Sequence, residues 1–226
     1  INCMLKKNFL KKYTSSNQDK PNVNEADQLN LFNSINKLLK FTGNKEIESN
    51  NKLLDIGSGL GSFYNLCKKL GVEAEKTDGS IDNIDFEKDA ILFNDDYFDF
   101  VIMNSVIEHL INPQNILYEA KRVLKSKGIL IIITPNFKYA YKNFYDDPTH
   151  VQPYTHISLK TILNICDFKN TKVNPFLVNK PNFYWKIPFK FLFASKIPFK
   201  NHTCKSFPIP NFLRGNSTSM ISISIK

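Results

Sequence analysis

The sequence predicts an α/β fold: a doubly wound, mostly parallel sheet with an antiparallel C-terminal strand, an N-terminal helix and a late aromatic and basic cap. Three observations carry this. Short continuous apolar runs alternate with segments of helical periodicity, the pattern of strands buried between two layers of helices. The first such run passes through a glycine-rich turn straight into a helix. The last ten residues, STSMISISIK, alternate strictly, with Ile221, Ile223 and Ile225 on one face and Ser222 and Ser224 on the other, as in a half-buried strand.

The elements follow in order. The first two dozen residues, rich in Lys, Asn, Ser and Gln, read as a loose arm. Leu31, Phe32, Ile35, Leu38 and Leu39 recur at helical spacing, which predicts an amphipathic helix from about 25 to 41. After a polar stretch, Leu53–Ile56 is a first strand. A helix from about 60 to 70 ends at Gly71, Val72–Thr77 is a second strand and Phe98–Met103 a third. Asn112 is placed to cap a helix that opens at Pro113 and runs to about Lys125. Gly128 is expected to stop that helix, and Ile129–Thr134 is a buried strand ended by Pro135. Ser158–Phe168 reads as one more helix, before a sixth strand. Between about 179 and 216 periodicity is lost, and Pro, Phe, Lys and Asn dominate.

Composition narrows the function. Hydrophobic residues at 42% and charged residues at 23% describe a folded globular chain of 226 residues. The longest aliphatic run, Ile129–Ile133, falls far short of the roughly 18–20 residues of a membrane helix. The basic start has no apolar stretch behind it, so no signal peptide is expected. Ile1 is not a start residue, and the chain reads as a fragment, a trimmed chain, or one beginning at Met4. Cys3, Cys67, Cys166 and Cys204 lie far apart, against a disulfide framework or a zinc site and for a reducing, cytoplasmic setting. The net charge of +9 is local: all 21 acidic residues lie at or before Asp167, and ten basic residues and no acidic ones follow it. An electrostatic partner therefore meets the C-terminal quarter.

The segment LLDIGSGLGSF, Leu53 to Phe63, carries the most chemistry. Gly57, Ser58 and Gly59 form a turn where a ligand approaches the backbone and positive φ is needed, and the helix behind offers unpaired N–H groups. The spacing is GxGxG rather than the GxGxxG of dinucleotide sites. Asp55, on the strand itself, suits a ligand carrying an ammonium and a sulfonium and would be costly beside a pyrophosphate. Asp78 ends the second strand, where its two oxygens can accept from vicinal hydroxyls.

From about Leu53 to Phe168, and again at the last strand, the chain resembles the class I S-adenosylmethionine-dependent methyltransferases. DIGSGLG resembles their first motif, Thr77–Ser80 (TDGS) the end of their second strand, and Phe93–Asn136 the stretch from fourth strand through fifth. The resemblance implies a Rossmann-like fold and S-adenosylmethionine as cofactor, with S-adenosylhomocysteine as product. It implies Asp78, beside Gly79, for the ribose; Asp85 and Phe86 for the adenine; and Asn104 and Ser105 near the methionine part. Glu108 and His109 match an EHL feature that orients the site or caps it. The chain departs from the family where only about 20 residues separate Asp78 from Phe98, so the usual helix and strand there are shortened or missing. The whole is read as one domain, 1–226: arm and helix to 45, cofactor-binding core 46–178, cap 179–216 and final strand 217–226.

Asp146–Phe168 is similar to small methyltransferases that accompany bacterial glycan and lipopolysaccharide synthesis. This implies methyl transfer to a carbohydrate or small-molecule acceptor, most readily at a hydroxyl, which needs a base. His150 is the preferred base and His156 the second, each set against a cap or loop-packing role; Tyr145 and Tyr154 either shape the acceptor pocket or pack. No metal is expected, because no HxxxH or HExxH spacing occurs. The cap interleaves aromatics with unpaired lysines, as in two KIPFK steps. That suits a small helical cap, or a lid over sugar rings and phosphates that also rests on an anionic membrane. The alternatives are a nicotinamide-dependent oxidoreductase, disfavoured by Asp55 and the spacing, and a non-catalytic RNA- or partner-binding module. A nucleic-acid methyltransferase is disfavoured because MNSVIEHL lacks its usual tetrapeptide or reactive cysteine.

Overall fold

The structure is a computed structural model and describes residues 24–176, 199–200 and 214–226. Helix α1, Glu25–Phe41, opens where the Asn24 side chain accepts from the Ala26 N–H at 3.1 Å, with Glu25 and Asp27 in its first turn and Lys40 in its last. It buries the predicted stripe of Leu31, Phe32, Ile35, Leu38 and Leu39. There follow β1 (Lys52–Ile56), α2 (Ser62–Lys69), β2 (Glu73–Thr77), β3 (Phe98–Asn104), α3 (Gln114–Val123) and β4 (Leu124–Pro135). A short α4 (Phe137–Ala140) leads to α5 (His156–Ile165), which Thr155 and Ser158 close with a capping box, and to β5 (Lys169–Pro175). After a short parallel pair, β6 (Phe199–Lys200) with β7 (Arg214–Asn216), the chain ends in β8 (Ser219–Ile225).

Six strands form one sheet in the order β2-β1-β3-β4-β8-β5. β1 pairs in parallel with β2 and β3, β3 with β4, and β8 runs antiparallel to both β4 and β5. Helices α1 and α2 pack on one face, through Ile35, Leu38, Leu39, Phe63 and Leu66 against Leu53, Phe100 and Ile131. Helices α3 and α5 cover the other, through Ile116, Leu117, Leu159 and Leu163 against Leu54, Val101 and Leu130. The predicted doubly wound, mostly parallel sheet with its antiparallel last strand is what the chain builds.

Three local expectations need correction. Gly128 does not stop α3: Leu124 is already extended and pairs with Phe98, and Gly128 lies inside β4 where the register shifts before Phe100. The chain folds tightly on itself there, since a Cβ at Gly128 would sit 2.8 Å from the Lys125 carbonyl oxygen. Pro113, not Asn112, occupies the position before the helix. The last strand is buried on both faces, Ser222 and Ser224 included, because it sits between β4 and β5 rather than at an edge; the Ser224 hydroxyl donates to Thr171 Oγ1 at 3.0 Å. The stretch between Thr77 and Phe98 holds turns only, as its length predicts. The N-terminal arm, most of the 179–216 cap, Cys3 and Cys204 lie outside the described residues. Cys67 and Cys166 are unbridged and buried. Among the described residues no helix is long and apolar enough to cross a membrane.

Candidate active site

Parallel pairing brings the exits of β1, β2 and β3 to one edge of the sheet. The chain steps from β1 out to β2 and returns past β1 to β3, so the order reverses between β1 and β3, where α/β sheets bind ligands. Gly57 (φ 75°) turns the chain there, its N–H donating to the Thr77 carbonyl at 2.8 Å. A Cβ on Gly57 would fall 2.3 Å from Val106 Cγ2, whereas one on Gly59 (φ 51°) would meet nothing within 4 Å. Packing demands the first glycine; the second borders open space. The Ser58 hydroxyl between them is buried and without a partner.

Asp55 lies under this turn, 4% exposed. Burial, reinforced by the charge of Asp78, raises its carboxyl to about 7 against the opposing pull of Lys76 and a backbone hydrogen bond at Tyr64. Asp78 ties the turn together: Oδ2 accepts the Gly59 N–H at 2.9 Å, and Oδ1 accepts the Ser80 N–H at 3.0 Å and hydroxyl at 2.7 Å. A Cβ on Gly79 would come within 3.5 Å of the Phe86 ring, which is buried in the core. Asp85 Oδ1 accepts the Glu87 N–H, and Lys88 pairs with Oδ2 at 3.6 Å. Asn104 and Ser105 are exposed at the β3 exit, Ser105 in the left-handed region at φ 58°. The structure thus gathers Asp55, Gly57, Ser58, Gly59, Asp78 and Gly79 around the exits of β1 and β2, with Asn104 and Ser105 across at β3.

Past Ser105, a 3-10 turn over Ile107–His109 places Glu108 and His109 beside the loop that follows α4. The Glu108 carbonyl accepts from the N–H groups of Val151 and Gln152 at 2.9 and 3.0 Å, which fixes that loop and delivers His150. Glu108 is fully buried. Its Oε2 accepts the Thr134 hydroxyl at 2.9 Å, and its Oε1 has no partner. Burial raises this carboxyl to about 7, although its own backbone N–H, the Thr134 hydroxyl and the nearby Ser105 hydroxyl favour the charged form and pull the other way. His150 Nδ1 donates to the Phe144 carbonyl at 2.6 Å, so its lone pair lies on Nε2. The Thr149 hydroxyl gives its proton to Asp147 Oδ1 at 2.5 Å and therefore accepts, at 2.8 Å, from His109 Nδ1. Glu108, His109 and His150 each bring a ligand atom within 4.8 Å of the others.

The remaining candidates fall around this cluster or outside it. Tyr154 is buried, its hydroxyl unpartnered; burial and then Glu108 push the phenol well up. Tyr145 is exposed and edge-on to Phe144. His156 stands exposed at the first residue of α5, apart from the cluster. In the sequence, Glu108 and His109 stand in one feature and His150 in another. The three residues span 108 to 150 with no local spacing motif, so no pattern in the chain announced them.

The model of the methyltransferase domain family matches residues 27–173. The chain belongs to that family. The methyltransferase also matches two uncharacterised proteins of Methanocaldococcus jannaschii, one 34% identical over 122 residues, covering 50% of this chain and 52% of the relative. The other is 38% identical over 88 residues, covering 35% and 42%. The chain spans about half the length of the curated relatives it matches. Its fold is that of an S-adenosylmethionine-dependent methyltransferase from Archaeoglobus fulgidus, with a TM-score of 0.56 at 20% identity over 88% of this chain and 94% of that one. The chain thus carries a methyltransferase domain.

Proposed function

We propose that this protein transfers the methyl group of S-adenosylmethionine to a hydroxyl of a glycan or a glycan precursor. The observation that carries the reading is a meeting of two sites at one sheet edge. The glycine turn over buried Asp55 touches Val106, and two residues beyond Val106 begins the Glu108–His109–His150 cluster. The turn fits the cofactor. Gly59 leaves room for close approach, the orphaned Ser58 hydroxyl offers a hydrogen bond, and Asp55 supplies a carboxylate for an ammonium. Asp78 is placed for the ribose hydroxyls by exchanging its bonds to Gly59 and Ser80, with Gly79 beside it. Asp85 and Phe86 belong to the adenine side, and Asn104 and Ser105 to the methionine side.

Bound there, the cofactor supplies an electrophilic methyl group on a sulfonium. The protein's task is to hold the acceptor in line and draw off its proton. His150 is the group for that work: its ring is held by the Phe144 carbonyl and by the Phe144 ring at a centroid distance of 4.6 Å, leaving the Nε2 lone pair to act on the hydroxyl directly or through an ion. His156, exposed and apart, is the second candidate. The ten basic residues and no acidic ones beyond Asp167 favour an acceptor carrying phosphate or carboxylate groups, and residues 179–216 are the segment we assign to its recognition.

The test is transfer of a labelled methyl group from S-adenosylmethionine to a panel of sugar nucleotides, glycans and lipid-linked sugars, with amines and RNA as controls. Label in a hydroxyl-bearing sugar acceptor is expected. Label confined to an amine or to RNA overturns the acceptor assignment.

A further inference from the structure

We propose that Glu108, His109 and His150 bind one divalent transition-metal ion of the zinc or cobalt kind, with a position left on the ion for the acceptor oxygen. Three observations carry this independently of any spacing motif. One carboxylate and two imidazoles each place a ligand atom within 4.8 Å of the others. The Oε1 atom of Glu108 is buried without a hydrogen-bond partner, a costly condition that a bound cation relieves. Both rings are also fixed from behind as metal-ligating histidines are. His150 Nδ1 donates to a main-chain carbonyl, and His109 Nδ1 donates to the Thr149 hydroxyl, which Asp147 holds in turn. Such outer partners set the tautomer and raise the basicity of the ligating nitrogen.

The donor set selects the ion. Two nitrogens and one oxygen suit zinc, cobalt, iron or manganese, whereas calcium and magnesium take all-oxygen sets. Bonds of about 2.0–2.1 Å in a tetrahedron place ligand atoms about 3.4 Å apart, so side-chain movements of about an ångström close the site. Three protein ligands leave the fourth position open, the arrangement of catalytic rather than structural zinc. The use made of that position rests on the hydroxyl-methyltransferase reading above. A hydroxyl bound there releases its proton to water, and its oxygen pair forms the bond to the methyl carbon as the carbon–sulfur pair returns to sulfur. His150 then acts through the ion.

The experiment titrates the full-length protein, freed of metal, with cobalt(II) and follows the visible bands of the bound ion. The same samples are titrated calorimetrically with S-adenosylhomocysteine. One equivalent of cobalt with low-symmetry bands is expected. Glu108→Gln and His150→Ala should each abolish the bands, and Thr149→Val, which removes the hydroxyl between His109 and Asp147 and leaves the ligands themselves in place, should weaken binding by about 10- to 100-fold. Melting curves of each variant confirm folding. Bands that persist in Glu108→Gln and His150→Ala overturn the metal site, as does no cobalt binding by a protein that binds S-adenosylhomocysteine. Cobalt binding without S-adenosylhomocysteine binding upholds the metal site and overturns the methyltransferase reading instead.

Discussion

Replacing His150 with alanine is expected to slow methyl transfer to the true acceptor by about 10²- to 10⁴-fold, the range for a lost proton-handling group. Affinity for S-adenosylhomocysteine should be unchanged, because the cofactor turn stands on β1 and β2 and shares no hydrogen bond with this ring. Both numbers come from one pair of assays: single-turnover transfer and a calorimetric titration. The Phe144 carbonyl at 2.6 Å and the Phe144 ring at 4.6 Å hold the His150 ring beside the His109 ring, 4.8 Å away. Wild-type single-turnover rates in His150→Ala would make the ring structural and pass the role to His156.

The second large effect is on stability. Gly57→Ala adds a Cβ 2.3 Å from Val106 Cγ2 at φ 75°. The left-handed conformation costs about 1–2 kcal/mol, and the forced repacking typically a further 1–3 kcal/mol. For a chain of this length the sum lowers the Tm by roughly 5–15 °C. Gly59→Ala shares the positive φ but meets nothing within 4 Å, so it should cost only the conformational part. Thermal melts of the two variants therefore rank Gly57→Ala well below Gly59→Ala. Equal losses would show that backbone conformation alone fixes the turn, and adding Val106→Ala to Gly57→Ala should recover part of the difference.

The frame was legible in the sequence because its signals are local. The apolar strands, the stripe on α1 and the glycine turn each state themselves within a dozen residues. Local rules failed where tertiary pairing outweighed them. Gly128 has the look of a helix stop, yet Leu124 gains more by pairing with Phe98 and starting the strand five residues earlier than Ile129. The Ile-Ser alternation of β8 implies one wet face, but α5 and the neighbouring strands bury Ser222 and Ser224 as well. At the site the same division holds. Asp55, Gly57, Gly59 and Asp78 lie in or beside short motifs. The cluster with His150 exists only because the Glu108 carbonyl holds the N–H groups of Val151 and Gln152, a contact across some forty residues that no period encodes.

Calorimetric titration with S-adenosylhomocysteine, beside NADH, decides whether this sheet edge takes the aminoacyl cofactor we propose. Asp55, held at about 7 in the protein alone, pairs with the ligand's ammonium only when ionised. Affinity should therefore fall as the pH drops through 7, by about tenfold between pH 8 and pH 6. S-adenosylhomocysteine binding with that pH dependence, and no response to NADH, is the predicted result. NADH binding with no response to S-adenosylhomocysteine at either pH would make the turn a nicotinamide site instead.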